Sequence, residues 1–393
     1  MSELSYLEKL LDGVEVEWLP LGEVSALRRG RVMSKGYLTE NFGPYPVYSS
    51  QTANNGKIGS INTFDFDGEY ISWTTDGANA GTVFYRTGKF SITNVCGLIT
   101  LKSKCPLIYK FLFYWLTIEA KKHVYSGMGN PKLMSHQVEN IPVPIPCPDN
   151  PEKSLAIQSE IVRILDKFSA LTAALTAELS MRKKQYNYYR DQLLSLEEDE
   201  IEWKALDDVC ALISAGGDVP ENSVKGQVKP TNEYPYPIYA NATDEKGLYG
   251  YTDSYKIDSD AVTISARGAK VGYHTVRDAK FTPIIRLIVL VANKNLVRTR
   301  YLNYVLDMTA IGGTDGGIPQ LTVPMVKKIT VPIPFASNPN RSLAEQDRII
   351  AILDKFEILT NSINEGLPRE INLRQKQYEY YRDLLLSFPK SNV

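Results

Sequence analysis

Apolar residues between positions 154 and 195 follow a helical pattern rather than the alternation of a strand. Successive members lie alternately four and three positions apart, which is the seam spacing of a coiled coil. They are Ile157, Ile161, Ile164, Phe168, Leu171 and Leu175. The pattern predicts one long helix, roughly 60 Å in length at 1.5 Å per residue, that packs along another helix.

This helical segment has a second copy further along the chain. Val-Pro-Ile-Pro at residues 143–146 recurs 188 positions later, and Gln-Tyr-x-Tyr-Tyr-Arg-Asp at residues 185–191 recurs 192 positions later. The repeat predicts two related helices, with N-caps at Ser154 and Ser342. The second copy has four extra residues, around Glu-Gly-Leu-Pro at residues 365–368. We expect the second helix to bend or break there.

The segments before each helix repeat too, but they consist of short strand-like runs separated by turns. Tyr-Pro-Val-Tyr at residues 45–48 returns as Tyr-Pro-Ile-Tyr at residues 236–239, and a Gly-x-x-x-Gly turn follows in each copy. Between these framework positions the residues differ. Ser-Trp-Thr-Thr-Asp at residues 72–76 is matched by Thr-Ile-Ser-Ala-Arg at residues 263–267. Two copies of one scaffold with different surface residues are what a protein needs to read two different half-targets.

Composition narrows the possible classes of protein. The 393-residue chain is 43% hydrophobic without a long uninterrupted apolar run, so we expect no membrane span. Its first residues lack the basic start and small-residue cleavage site of a signal peptide, and we therefore expect a cytoplasmic protein. The four cysteines are scattered, which favours neither zinc ligation nor a disulfide framework.

The charge balance alone does not favour a nucleic-acid binder, because the formal net charge is only -1. Isolated nucleic-acid-binding domains are usually basic, so clustered cations or a partner subunit would have to supply the positive potential. The sequence contains no methyl-transfer loop, nuclease constellation, P-loop or histidine-based metal motif. We therefore expect no catalytic residues, no metal and no cofactor in this chain.

Taken in order, the motifs resemble the DNA-specificity subunit of type I restriction–modification enzymes. In each half a Glu-Trp-x-x-Leu-x-x-Val start, at residues 17–24 and 202–209, precedes the Tyr-Pro-x-Tyr and glycine turns, the Val-Pro-Ile-Pro exit and the helix. The match covers nearly all of residues 1–388. The resemblance implies an α+β fold with an internal pseudo-two-fold repeat. Two α/β target-recognition domains would each be followed by a long helix, and the two helices would pack as an antiparallel coiled coil.

The same resemblance implies domain boundaries, a function and partners. Target-recognition domains would span residues 1–150 and 197–338, the central helix residues 151–196 and the C-terminal helix residues 339–393. The chain would read a bipartite, asymmetric target in double-stranded DNA without being an enzyme itself. Catalysis would lie in DNA adenine methyltransferase subunits, two copies by the symmetry of the repeat, and in restriction subunits.

Candidate contact residues are polar side chains on the loops of the two strand-rich segments. Asparagine and glutamine suit adenine edges, and lysine and arginine suit phosphates; the plainer interpretation is a set of ordinary turn formers. In the first half the candidates are Arg28, Arg29, Arg31, Ser49, Ser50, Gln51, Asn54, Lys57, Thr74, Thr75, Asn79 and Lys132. In the second half they are Asn241, Thr243, Lys246, Ser265, Arg267, Lys270 and Gln320. Candidate partner-docking residues at the helix ends are Tyr186, Tyr189, Arg190, Tyr378, Tyr381 and Arg382.

Two other interpretations stay open on the sequence. A coiled-coil adaptor or oligomerisation protein with β-rich ligand-binding domains would suit the near-neutral charge. A type II-like fusion of recognition domains with an enzyme would need a cofactor or nuclease motif, and the chain has no spare length for one.

A helix of this length suits either a ruler between the two half-targets or an oligomerisation stalk, and the ruler makes a prediction. Inserting one more Leu-Thr-Ala-Glu unit after Glu178 adds about 6 Å of helix, which is one to two base-pair steps of about 3.4 Å. We expect the preferred spacer to lengthen, as read from the methylation pattern of a host that expresses the chain with its methyltransferase. An unchanged spacer contradicts the ruler.

Overall fold

The computed structural model describes residues 10, 13, 15–127, 129–195, 200–241, 247–313, 318–362 and 365–389. Contacts divide the chain into two compact units. Unit 1 comprises Met1–Leu175 together with Ile371–Val393, and unit 2 comprises Thr176–Glu370. Each unit therefore contains one strand-rich segment and parts of both helical segments.

Unit 1 is built on antiparallel sheets. Its described strands are β1 (Val16–Pro20), β2 (Ser25–Arg29), β3 (Phe42–Tyr48), β4 (Lys57–Ile61), β5 (Phe66–Thr74), β6 (Val83–Ile92), β7 (Cys96–Leu101) and β8 (Pro142–Pro146). A six-stranded sheet has the order β2-β7-β5-β6-β3-β4, and β1 pairs separately with β8. Strands β3 and β6 run parallel, whereas the other neighbours are antiparallel.

Helices cover the sheet of unit 1 and connect it to the long helix. They are α1 (Leu21–Val24), α2 (Lys35–Glu40), α3 (Tyr109–Glu119), α4 (Ser135–Glu139) and α5 (Pro151–Leu194), and α5 continues into unit 2. Helix α3 buries Phe111, Leu112 and Trp115 in the same hydrophobic core as Trp73 of the sheet and Ile161 of α5. The core of unit 1 thus joins the sheet, α3 and the first part of the long helix.

Unit 2 repeats this plan with its strands divided between two sheets. The described strands are β9 (Ile201–Ala205), β10 (Cys210–Ala215), β11 (Ser223–Lys225), β12 (Tyr236–Tyr239), β13 (Leu248–Thr252), β14 (Ala261–Ser265), β15 (His274–Arg277), β16 (Thr282–Pro283), β17 (Leu287–Ala292) and β18 (Thr330–Pro334). The sheet orders are β10-β17-β14-β15 and β11-β13-β12-β16, and β9 pairs with β18. Strand β6 is continuous in unit 1, but its counterpart is interrupted between β15 and β16, where Lys280 has a φ of 68°.

The helices of unit 2 occur in the same order as those of unit 1, except that α2 has no counterpart among the described residues. They are α6 (Leu206–Val209), α7 (Thr299–Leu306), α8 (Val323–Lys327), α9 (Pro339–Asn361) and α10 (Gly366–Leu385), and α10 continues into unit 1. The predicted break in the second helix is confirmed, since α9 and α10 are separate helices. No helix formed by the described residues is long and apolar enough to cross a membrane.

Aromatic side chains join the two long-helix segments. In unit 1, Phe168 of α5 stacks on Tyr381 of α10, with ring centroids 5.2 Å apart. In unit 2, Tyr189 of α5 stacks on Phe356 of α9 at 5.6 Å. As α5 advances from Phe168 to Tyr189, its contact moves backwards along the second helical segment. This order is that of an antiparallel pair, as predicted.

The predicted serine N-caps are wrong. The Asn150 side chain accepts the backbone N–H of Lys153, and the Asn338 side chain accepts that of Arg341. In both cases a proline follows the asparagine at the first helical position, where its missing N–H costs nothing. Ser154 and Ser342 are instead buried inside the first turns. Each of them accepts a hydrogen bond of 3.1 Å from a buried glutamine four residues later.

That glutamine should contribute measurably to stability. Gln158→Ala removes the partners of the Ile108 N–H and the Pro106 carbonyl. We expect it to lower the free energy of unfolding by about 1–3 kcal/mol, because two partly buried backbone groups would lose their hydrogen-bond partner. Urea unfolding followed by circular dichroism measures this change. The control Gln192→Ala, at an exposed position of the same helix, should change stability by less than about 0.5 kcal/mol; equal effects would contradict the assignment.

Candidate nucleic-acid interface

A short loop between β6 and β7 gathers the predicted contact segments of unit 1. In this central loop, residues 93–95, the N–H of Thr93 donates to the Tyr48 carbonyl at 2.9 Å. Its Val95 carbonyl accepts the N–H of Thr75 at 3.1 Å, and its Asn94 N–H donates to the carbonyl of Arg31 at 3.0 Å. The polar loop after Tyr48, the glycine turn and the arginine cluster therefore meet at one edge of the sheet.

The glycine turn of unit 1 also holds the segment that carries Lys132. The N–H of Gly77 donates to the Pro131 carbonyl at 3.0 Å, and the N–H of Leu133 donates to the Thr75 carbonyl at 2.8 Å. Gly77 has a φ of 87°, a conformation that glycine adopts without steric cost. Lys132 is exposed and forms a backbone bridge with Asp76, so a cation lies beside the turn.

Unit 2 contains the same backbone frame. The N–H of Ile284 donates to the Tyr239 carbonyl, and the N–H of Ala266 donates to the Arg286 carbonyl, both at 2.9 Å. The N–H of Gly268 donates to the Pro319 carbonyl at 3.0 Å. These donors and acceptors are the unit 1 positions shifted by 191 residues, or by 188 for the proline. One scaffold thus presents two different sets of side chains.

Three predicted residues of unit 2 come together on this frame. The Asn241 side chain donates to the carbonyl of Arg267 at 2.9 Å and accepts its N–H at 3.3 Å. Arg267 also forms a backbone bridge with Gln320. Amide and guanidinium groups, which suit adenine and guanine edges respectively, are therefore concentrated at one place.

Most of the other predicted contacts lie at the surface. Exposed candidates are Arg28, Arg29, Arg31, Asn54, Lys57, Lys132, Lys270 and Gln320. Partly exposed candidates are Ser49, Ser50, Gln51, Asn79, Asn241 and Arg267. Thr243 and Lys246 lie outside the described residues.

Three candidates require correction, because Thr74, Thr75 and Ser265 are buried. The Thr74 hydroxyl donates to the Asn79 carbonyl, and the Thr75 hydroxyl lies 2.9 Å from the carbonyl of Val95. Both threonines hold the turn and its central loop together. The sequence predicted them on exposed turns, but Thr74 and Ser265 are the last residues of the buried ends of β5 and β14, and Thr75 follows β5 directly.

The arginine cluster differs between the two units. In unit 1 the Arg31 guanidinium contacts Asp65 at 3.0 Å and the Tyr37 hydroxyl at 3.2 Å. The hydrogen bond to Tyr37, supported by Asp65, raises the pKa of Arg31. Arg28 and Arg29 carry the remaining exposed positive charge. Unit 2 has Ser-Ala-Gly-Gly at the matching residues 214–217, so its cations must come from elsewhere.

Arg286 supplies one such cation, and the sequence analysis missed it. It is exposed on the central loop of unit 2, residues 284–286, and has a φ of 70°. A left-handed conformation is uncommon for a residue with a Cβ and marks positions that the surrounding structure constrains. Its only sequence signal was its place beside a framework position, because arginine has no turn preference that would predict this conformation.

The sequence analysis also missed two buried arginines, one beneath the polar loop after Tyr48 and one at the matching position of unit 2. The Arg86 guanidinium lies 3.6 Å from the ring centre of Tyr48 and donates to Ser72 Oγ and the Asn55 carbonyl. Burial lowers the pKa of Arg86 to about 10. In unit 2 the Arg277 guanidinium lies 3.9 Å from the ring centre of Tyr239. The sequence repeat could have revealed this pair, since an offset of 191 residues aligns Arg86 with Arg277 and Tyr48 with Tyr239.

The predicted docking residues take part in packing within each unit. Tyr189 and Tyr381 form the stacked pairs described above, and Arg190 and Arg382 lie over the rings of Tyr186 and Tyr378, each at 5.7 Å. The neighbouring tyrosines are more open: Tyr188 is 60% exposed and Tyr380 is 65% exposed. The open face of each helix end thus carries a tyrosine that the sequence analysis did not select.

Comparison with known proteins identifies this duplicated frame. The family model described as type I restriction modification DNA specificity domain matches the chain twice, over residues 13–181 and 198–373. The chain belongs to this family of type I DNA-specificity proteins. The two matched regions correspond to the two sequence repeats, so the resemblance found in the motifs is confirmed.

Known type I specificity subunits align with nearly the whole chain. That of the Escherichia coli enzyme EcoR124I/EcoR124II is 37% identical, with 99% of this chain and 98% of that protein aligned. That of the Escherichia coli enzyme EcoprrI is 34% identical, with 93% of each protein aligned. The S subunit of a type I system from M. genitalium has a similar fold, with a TM-score of 0.63 and 16% identity over 97% of this chain and 98% of that one. These similarities confirm the predicted fold class and the assignment as a specificity subunit.

Arg86 should order the polar loop after Tyr48, residues 49–57, in this specificity subunit. Arg86→Met retains bulk but removes the hydrogen bond to the Asn55 carbonyl. We expect amide hydrogen exchange to accelerate in residues 49–57, where the Ser49 N–H is held by the Gly56 carbonyl at 2.9 Å. The matched control is Lys89→Met, an exposed position on the same strand. Unchanged exchange in Arg86→Met contradicts this role.

Proposed function

We propose that this specificity subunit reads a bipartite, asymmetric target in double-stranded DNA, with one half-target recognised by each unit. The observation that supports this most directly is the repeated backbone frame with different side chains. At the turn, unit 1 has Asp76 where unit 2 has Arg267. At the facing segment, unit 1 has Lys132 where unit 2 has Gln320. A shared frame with exchanged charge and hydrogen-bonding groups favours different base sequences.

The side chains divide by chemistry into base readers and phosphate binders. In unit 2, Arg267 suits guanine O6 and N7 and Gln320 suits adenine N6 and N7, while the amide of Asn241 holds the backbone of Arg267. In unit 1, Arg28 and Arg29 suit phosphates, which fix orientation without specifying sequence. The net charge of -1 is compatible with this function because exposed cations, among them Arg29 in unit 1 and Arg286 in unit 2, lie on or beside the central loops.

Modification and restriction subunits would supply the chemistry that this chain directs. The equivalent helix ends, which carry Tyr188 and Tyr380, offer two similar docking positions, so we propose two methyltransferase subunits per chain. Such an assembly would act in the cytoplasm. One structure of similar fold, with a TM-score of 0.53, comes from a study of type I R-M complex assembly, which is consistent with a multisubunit partner.

Genome-wide mapping of adenine methylation tests the proposed function. The chain is expressed with its methyltransferase in a host that lacks adenine methylation. We expect a bipartite motif with a fixed gap that disappears when this chain is omitted. Exchanging the strand-rich segments for those of a relative should change one half of the motif at a time.

The other interpretations predict different patterns. A soluble complex without methylation, or methylation that persists without this chain, would favour the adaptor. Methylation by the chain alone would favour a fused enzyme.

Phosphate contact by the arginine cluster has its own test. Arg28→Gln should reduce the slope of log affinity against log salt by about 0.9, because one fewer counterion is released. Fluorescence anisotropy with a DNA duplex containing the mapped motif measures the slope, and the methylated motif should not change. Lys104→Gln is the control, because β2 and β7 place Arg28 near the central loop and Lys104 beyond their other end. Equal slopes for both variants would contradict the proposed contact.

A further inference from the structure

Each strand-rich segment is attached to its long helix at two points, by a glutamine and an aspartate of that helix in both units. In unit 1 the first point is Gln158, which is fully buried. Its Oε1 accepts the N–H of Ile108 at 2.9 Å, and its Nε2 donates to the Pro106 carbonyl at 2.7 Å. These bonds fix the start of α3 against α5.

The second point in unit 1 is Asp166, two helical turns further along α5. Its two oxygens accept from Lys110 Nζ at 2.6 Å and from the Tyr114 hydroxyl at 2.7 Å. Burial raises the pKa of Tyr114, so its hydroxyl remains a donor at neutral pH. Both partners belong to α3, and Asp166 therefore fixes the direction of α3 along the long helix.

Unit 2 repeats both points 188 residues later. Gln346 accepts the N–H of Arg298 at 2.8 Å and donates to the Leu296 carbonyl at 3.0 Å. Asp354 Oδ1 lies 2.9 Å from Arg300 Nε and 2.6 Å from the Tyr304 hydroxyl. Glu357, one turn further along α9, contacts the same two groups, at 3.2 Å and 2.9 Å. The same two-point attachment thus holds α7 on α9.

Two points of attachment restrict the rotation of a domain on its helix more than one point does. A single attachment leaves a packed domain able to pivot, whereas two points about 12 Å apart along a helix also fix its direction. A shift of about one base-pair step, 3.4 Å, at the reading edge would suffice to accept a different spacer. The side chains at the reading edge differ between the units, whereas the glutamine, aspartate and tyrosine of the attachment recur and its cation changes only from Lys110 to Arg300. The attachment therefore serves something that both half-targets share.

We propose that Asp166 and Asp354 are positioning residues that make the spacer between the half-targets strict, an inference that rests on the proposed function. In the ruler hypothesis the long helices set the distance, and we propose that the two aspartates prevent each recognition domain from pivoting on its glutamine. Loss of either aspartate relaxes spacer length without changing which bases are read.

Methylation of a DNA library tests this positioning role. The library carries the mapped half-targets with the native spacer or with one base pair more or less, and each complex contains the full chain and its methyltransferase. Asp354→Ala, made in a Glu357→Ala background so that no second carboxylate accepts from Arg300 and Tyr304, should raise methylation of altered spacers about tenfold relative to the native spacer. Tyr304→Phe, which retains the ring, should shift the ratio in the same direction. The control Glu345→Ala breaks only a pair with Arg348 within the same helix and should leave the ratio unchanged.

A purely structural role gives a different outcome. Reduced methylation at all spacers in equal proportion, for both Asp354→Ala and Tyr304→Phe, overturns the proposal. If the unaltered chain directs no bipartite methylation, the proposed function fails instead. Amide hydrogen exchange of α7 in the free chain then decides the attachment: it should rise in Asp354→Ala but not in Glu345→Ala, and equal exchange would overturn it.

Discussion

The arrangement of each unit depends on one buried glutamine that replaces water for the backbone. Gln158 and Gln346 pair an N–H and a carbonyl at the starts of α3 and α7, where burial would otherwise leave them unsatisfied. Helix α3 packs in the core with the sheet, and α7 does so in its own unit. In each unit a hydrogen-bonded glutamine of the long helix therefore holds α3 or α7 in place. That helix in turn supports the sheet whose loops carry the candidate contact residues.

Hydrogen bonds of the backbone build the common frame, and side chains make the difference between the units. The central loops and glycine turns use main-chain donors and acceptors, so their geometry survives replacement of nearly every neighbouring side chain. Arg86 and Arg277, stacked on Tyr48 and Tyr239, stiffen the frame from below. Recognition can then vary at the exposed positions without disturbing the fold.

The distribution of charge matters more than its sum. Many exposed acids are neutralised by local pairs, such as Glu160 with Arg163 and Asp65 with Arg31. Arg28, Arg29 and Lys132 in unit 1, and Lys270 and Arg286 in unit 2, are exposed near the loops instead. A chain with a net charge of -1 can consequently present local positive potential where phosphates would approach.

The sequence determined the features that depend on periodicity and repetition: the long helices, their break near Gly366, the duplicated frame and the family. These follow from the spacing of residues, because a heptad seam or a glycine turn depends on residues that are close together in the sequence. Tertiary structure alone decided the burial of Thr74, Thr75 and Ser265 and the place of Arg286. It also decided that Ser154 and Ser342 support glutamines while Asn150 and Asn338 cap the helices. Such roles depend on which polar groups folding brings together from distant parts of the chain. The spacing of residues in the sequence does not indicate these contacts.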